Sequence, residues 1–173
     1  MVIAPTNLYG IDKHIKRVQD YLDSKLADVW HGDISIYGRA IETQLKETKI
    51  LEVWTSKNDY KQLFVSDRSA AVVWFKVNNR AVDSHRLKAD IDIIFTVNVK
   101  DVEGSSDYLD EKAIMNAYKI VSNCGLIENV TGIKTGIDNV FAGFDTEKIR
   151  HRDMSPFHVF SFTVQIEYFE KLC

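Results

Sequence analysis

The stretch Leu87–Lys100, LKADIDIIFTVNVK, decides the fold. Leu87, Ala89, Ile91, Ile93, Phe95, Val97 and Val99 alternate with Lys88, Asp90, Asp92, Ile94, Thr96, Asn98 and Lys100. Side chains on a strand leave opposite faces with a period of two, so this is a long strand with one apolar side. Its other side carries charge and is expected to meet water or a charged partner rather than a hydrophobic core.

A second segment, Phe157–Phe169, repeats the pattern. Phe160, Phe162, Val164, Ile166 and Tyr168 share one face, and Ser161, Thr163, Gln165 and Glu167 share the other. Two long half-polar strands predict one antiparallel or mixed sheet with an apolar face under helices. Two helices suit that place. Ile11, Ile15, Val18, Leu22, Leu26 and Val29 recur at steps of three and four, with Asn7 or Asp12 as the start signal and His31–Asp33 as the stop. Leu109, Ala113, Ala117, Ile120 and Val121 form a second stripe, capped by Ser105, Ser106 or Asp107 and stopped by Asn123 and Gly125.

Ala70–Val77, AAVVWFKV, is apolar on both faces and reads as a central strand covered on both sides. Asn78–His85 is polar and turn-like, predicting a hairpin with a longer loop into the opening strand. Ile34–Ala40 is a short strand candidate interrupted by Gly38, and Arg39–Glu47 reads as a short helix or an ordered loop. Lys49–Trp54 and Tyr60–Val65 are strands around a turn. Val130–Phe144 is an ordered connector anchored by Ile133, Ile137, Val140 and Phe141, and Met1–Leu8 is a loose leader. The expected fold is α/β (α+β), a mainly antiparallel or mixed sheet with two helices on its apolar face, in a single domain of 173 residues.

Composition narrows function. A net charge of −3 and a pI near 5.9 argue against a binder whose affinity rests on phosphate neutralisation. Two cysteines, Cys124 and Cys173, lie outside any zinc or disulfide spacing, which suits a reducing compartment. The N-terminal segment lacks signal-peptide features, and no run approaches the ~18 apolar residues of a membrane span. A soluble, cytoplasmically made protein is expected.

Asp90 and Asp92 leave the same face of a strand, as a cation-binding or proton-sharing pair would. No further ligands follow at a recognisable spacing, and a solvated or subunit-contacting face is the plainer reading. His14, His31, His85, His151 and His158 are dispersed, and neither a phosphate loop nor a nucleophile elbow is present. Cys124 reads as a buried small hydrophobe. No cofactor or metal is expected, and no enzymatic activity. Lys148, Arg150, His151 and Arg152 form a basic cluster suited to an acidic partner or to plain solvation. Trp54 and Tyr60 flank a polar turn and are candidate interface anchors.

Four segments carry a resemblance: GIDKHIKRVQDYL from Gly10, the span Ile50–Phe75, LKADIDIIFTVNV from Leu87, and the span Thr131–Phe169. Together they resemble a family of tail-completion proteins of bacteriophages and prophages, particularly those associated with Bacteroidetes. The resemblance implies a tail terminator-like virion protein at the head–tail junction, with an α/β fold and a homo-oligomeric, often six-fold ring. Such a ring ends the tail tube, contacts the tube protein and the neck or connector proteins, and lets DNA pass without binding it. On this reading Asp90, Asp92, Thr96 and Asn98 face a subunit or the pore, and Trp54, Tyr60, Lys148, Arg150, His151 and Arg152 face partners. The competing expectation is a small metal-dependent hydrolase or ligand-binding domain using Asp90 and Asp92.

Overall fold

In the computed structural model, which describes residues 1–55, 59–63, 69–83, 86–104, 107–147, 149 and 154–168, the opening strand lies near the middle of a sheet. The elements are β1 (Val2–Ile3), α1 (Ile11–Ala27), β2 (Ile34–Leu45), β3 (Thr48–Thr55), β4 (Asp59–Gln62), β5 (Ala71–Asp83), β6 (Arg86–Asn98), α2 (Val99–Glu103), α3 (Leu109–Ser122), β7 (Asn129–Thr135), α4 (Ile137–Val140) and β8 (Phe157–Tyr168). The chain is an α+β fold around a mixed sheet ordered β4-β3-β2-β5-β6-β8-β7, with β1 beside the first half of β2. Pairing is parallel for β1–β2 and β2–β5 and antiparallel elsewhere.

The apolar side of β6 builds the larger core. Ala89, Ile91, Ile93, Phe95 and Val97 join Val73 and Phe75 of β5 and Phe160, Phe162, Val164 and Ile166 of β8. Onto this wall α1 lays Ile11, Ile15, Val18, Leu22 and Leu26, and α3 lays Ala113, Ile114, Ala117 and Val121. Phe95 is its centre: stacked on Phe160 at 5.0 Å and edge-on to Phe162 at 5.7 Å and Trp30 at 6.0 Å. Such ring pairs add to the burial of area itself. The helices are tied by polar contacts as well. Glu103 of α2 accepts from Asn116 Nδ2 at 2.8 Å and pairs with Lys112 Nζ at 2.9 Å, both on α3.

The other side of the sheet is not a water face, which corrects the expectation from charge. Val72 and Trp74 of β5, Ile94 of β6 and Val159 of β8 are buried there under Ile137 and Val140 of α4, with Phe141 and Ile149, and under Leu51, Val53 and Leu63 of the β3–β4 region. Ile94, the one apolar residue on the charged side of β6, belongs to this second core. The sheet therefore sits between two apolar layers.

Several local expectations change. The leader is ordered: Val2 and Ile3 pair with Ile36 and Tyr37, and Ile36 N–H donates to the Met1 carbonyl at 2.9 Å. Strand β2 does not end at Ala40 but runs to Leu45, so Arg39–Leu45 is strand rather than a short helix or loop, with a register shift between Ile36 and Arg39 in the pairing to β5. The buried Gln19 of α1 answers that irregularity, its Nε2 donating to the Ile36 carbonyl at 3.1 Å and the Ile3 carbonyl at 3.4 Å. Polar Asn78–Asp83 is strand rather than loop, because β6 offers it a continuous ladder past a bulge between Val77 and Asn79.

Helix α1 is entered through Gly10, at φ 51°, and neither Asn7 nor Asp12 caps it. Helix α2 was not foreseen; Asn98 caps it by accepting from Lys100 N–H at 3.2 Å. Tyr108 precedes α3 without a side-chain cap, and Ser105 and Ser106 lie outside the described residues. The Asn123 stop holds, its Nδ2 donating to the Lys119 carbonyl at 2.6 Å. The connector resolves into β7 and α4.

Because Phe95 meets three rings with no room to relax, Phe95→Ala should destabilise the fold by about 3–5 kcal/mol. Urea denaturation followed by tryptophan fluorescence reads this directly, as a lower midpoint at unchanged slope.

Candidate interaction surfaces

The charged face of β6 does not present a row of side chains to a pore. Asp92 is 1% exposed. It sits opposite Lys76 of β5 and Thr163 of β8. Thr163 Oγ1 donates to Asp92 Oδ1 at 2.6 Å, and Lys134 Nζ of edge strand β7 reaches Oδ2 at 3.1 Å. A buried carboxylate needs such partners to stay charged. Lys134 meets the need from a side chain still 43% exposed, so it closes over Asp92 while keeping contact with water. Thr96 is buried too, beneath the second core.

Of the four residues expected at a pore or subunit face, Asp92 and Thr96 are therefore interior, a correction caused by β7 and α4 covering that side. Asp90 is half-buried and accepts from Gln165 Nε2 at a long 3.3 Å, and Asn98 is the α2 cap. Nor do Asp90 and Asp92 form an open carboxylate pair. Both oxygens of Asp92 are taken, and among the described residues no three His, Cys, Asp or Glu side chains converge in a way that could hold a metal ion.

Trp54 and Tyr60 do come together. They are directly opposed across β3 and β4, with Tyr60 44% exposed and Trp54 partly packed on the second core. Beside them lies a shallow recess walled by Pro5 and Leu8 from the β1–α1 loop and by Asp12 and Arg39. Arg39 Nε and Nη2 donate to Asp12 Oδ1 and Oδ2 at 2.7 and 3.0 Å. That forked geometry fixes the guanidinium plane. The Asp12 hydrogen bond, against the opposing cost of partial burial, raises the Arg39 pKa further above its ordinary value. Asp12 thus ties helix α1 to the bulged part of β2 instead of capping the helix. Lys148, Arg150, His151 and Arg152 lie outside the described residues.

A third surface escaped the sequence reading. Strand β2 pairs with β5 only as far as Ala40, and the two strands then part. The open notch between them is lined by Arg39, Ala40, Ile41 and Glu42 on one side and by Val77, Asn78, Asn79 and Arg80 on the other. Its one sequence signal is Gly38 interrupting the Ile34–Ala40 strand, which reads equally well as a loop.

Cys124 is buried behind α3, and burial pushes its thiol up from the ordinary value. No helix of the described residues is long and apolar enough to cross a membrane. No protein-family model matches this sequence, and no curated protein matches it either.

Two outcomes follow from this geometry. Asp92→Ala should cost about 1–3 kcal/mol, since it strips Thr163 of its acceptor and opens a polar gap, whereas Asp90→Ala should stay within about 0.5 kcal/mol; urea midpoints of the two variants separate them. The folded Cys124 thiol stays protonated at a pH where the unfolded thiol, near 8.5, already ionises. Stability is therefore full below about pH 8.5 and declines above it. Cys124→Ala should remove that part of the alkaline decline in thermal melts at pH 7 and pH 9.5.

Proposed function

We propose that this chain is a structural virion protein of a tailed phage, a ring-forming, tail terminator-like subunit at the head–tail junction. The observation that carries it is a sheet ending in two unlike strands, β4 on one side and β7 on the other, each with one strand partner among the described residues. An unpaired edge is a template for further strand pairing. Unlike edges favour a head-to-tail contact, which closes into a ring when the rotation per subunit allows it. The resemblance of the four sequence segments to tail-completion proteins supplies the biological setting, which geometry alone does not.

The remaining features agree with a ring that DNA traverses. A net charge of −3 offers passing phosphates little to hold. Tyr60 and Trp54 stand beside the β4 edge, where a neighbouring subunit or tube protein would cover them. Asp92 and Thr96 have no place in the pore on this reading, because β7 and α4 already enclose them. The partners are further copies of the chain, the tail tube protein and a neck protein.

Native mass spectrometry and negative-stain microscopy of the purified protein, alone and with assembled tail tubes, test the reading. Closed rings, six-fold by the resemblance, or density capping the tube ends are the expected result. A protein that stays monomeric at all concentrations and never decorates a tube would overturn it.

A further inference from the structure

The notch between β2 and β5 has the chemistry of a strand acceptor. Arg39 lies opposite Phe75 and Ala40 opposite Lys76, but from Ile41 onward β2 pairs with β3, on its other side. Strand β5 continues to Asp83 paired with β6 alone. The apex is held by Lys76, whose Nζ donates to Asn78 Oδ1 at 2.9 Å and lies 3.9 Å from Glu42 Oε1. Beyond it, the Val77–Asp83 edge of β5 has no strand partner on the β2 side among the described residues. A row of main-chain donors and acceptors of that kind is matched by water or by another strand.

We propose that this edge of β5 receives strand β7 of a second copy of the chain. The inference rests on the ring-forming reading and names the contact that makes the ring. Three observations choose β7 as the occupant. Among the described residues it pairs with β8 on one side only and has no strand on its outer edge. At seven residues, Asn129–Thr135 matches the length of the free Val77–Asp83 span, whereas β4 has four.

The third observation is charge. Exposed Arg80 stands within the accepting edge, and exposed Glu128 immediately precedes β7. Neither side chain has an ion-pair partner among the described residues, and in an antiparallel docking that sets Asn79 opposite Thr131 the two lie diagonally across the contact, within reach of two long side chains. Ile133, 52% exposed on β7, would lose water in the same step. Giving β7 and accepting at β5 are different surfaces, so each copy does both, and the contact propagates from subunit to subunit instead of capping itself.

Charge reversal with rescue tests the contact. Arg80→Glu and Glu128→Arg, each alone, should weaken self-association by roughly tenfold or more, read by native mass spectrometry across a dilution series. Combining both reversals in one chain should restore it. Thermal melts of the single variants should match the parent, since both positions are exposed.

A cross-link gives an independent reading. In a Cys124→Ser, Cys173→Ser background, Asn79→Cys protein mixed with Thr131→Cys protein should form a disulfide-linked dimer that neither forms alone. Rings that persist through both single reversals, with no cross-link in the mixture, would overturn the β7 contact and leave the ring reading standing. Parent protein that forms no assembly, alone or on tubes, would overturn both.

Discussion

The fold depends on a sheet whose central strands are buried on both faces. Strands β5 and β6 send Val73, Phe75, Ile93 and Phe95 toward the helices and Val72, Trp74 and Ile94 toward α4. A sheet enclosed in this way cannot satisfy stray polar groups with water, so each charged side chain in it must find a partner within the protein. Asp92 is the clearest case. Its carboxylate is met from β8 by Thr163 and from β7 by Lys134, so the residue that interrupts the second core also secures the outer strands. A carboxylate that first suggests a site is here a fastening.

The second organising feature is the change of partner along β2. Its first half is held between β1 and β5, and its second half belongs with β3 and β4. The change takes place where Gly38 and a register irregularity relax the ladder, and Gln19 and the Asp12–Arg39 pair brace that point from α1. Two arms diverge beyond it, β2–β3–β4 and the outer half of β5–β6. The Trp54–Tyr60 pair and the Arg80 edge both lie on these arms and not on the covered centre. Packing secures the middle of the molecule, and the arms carry its exposed main-chain edges.

Much of the architecture was legible from period alone. The alternation of Leu87–Val97 and Phe160–Tyr168, the stripe from Ile11 to Leu26 and the stripe from Ala113 to Val121 all lie where their spacing puts them. The charged face of β6 was misjudged because periodicity reports which residues share a side, not what covers it. The corrective signal was present: Ile94 breaks the polar row, and AAVVWFKV next door is apolar on both sides, which demands a second layer for its neighbour as well. The polar Asn78–Asp83 run resembled a loop because side chains on a protruding arm are solvated, while its pairing comes from the backbone. Of the expected contact residues, Trp54 and Tyr60 were legible as a pair from the polar, turn-like sequence between them. The notch was not, since it arises from where a ladder ends, and that is a property of three strands at once.

The position of β8 has a consequence for the order in which the molecule assembles. Strand β8 lies between β6 and β7, yet it follows both in the chain, and its partners on β6 are 59 to 81 residues away in sequence. Until it arrives, β7 has no ladder to join, α3 has half a wall to pack against, and Asp92 lacks both Thr163 and Lys134. Closing so distant a pairing is slow, because the entropy of the intervening loop is lost before contacts repay it. The β5–β6 pairing is local in sequence, whereas β7 finds its strand partner only in β8 among the described residues. The outer edge of β7 is thus tied to the most distant pairing in the sheet, and to the arrival of the last strand in the chain.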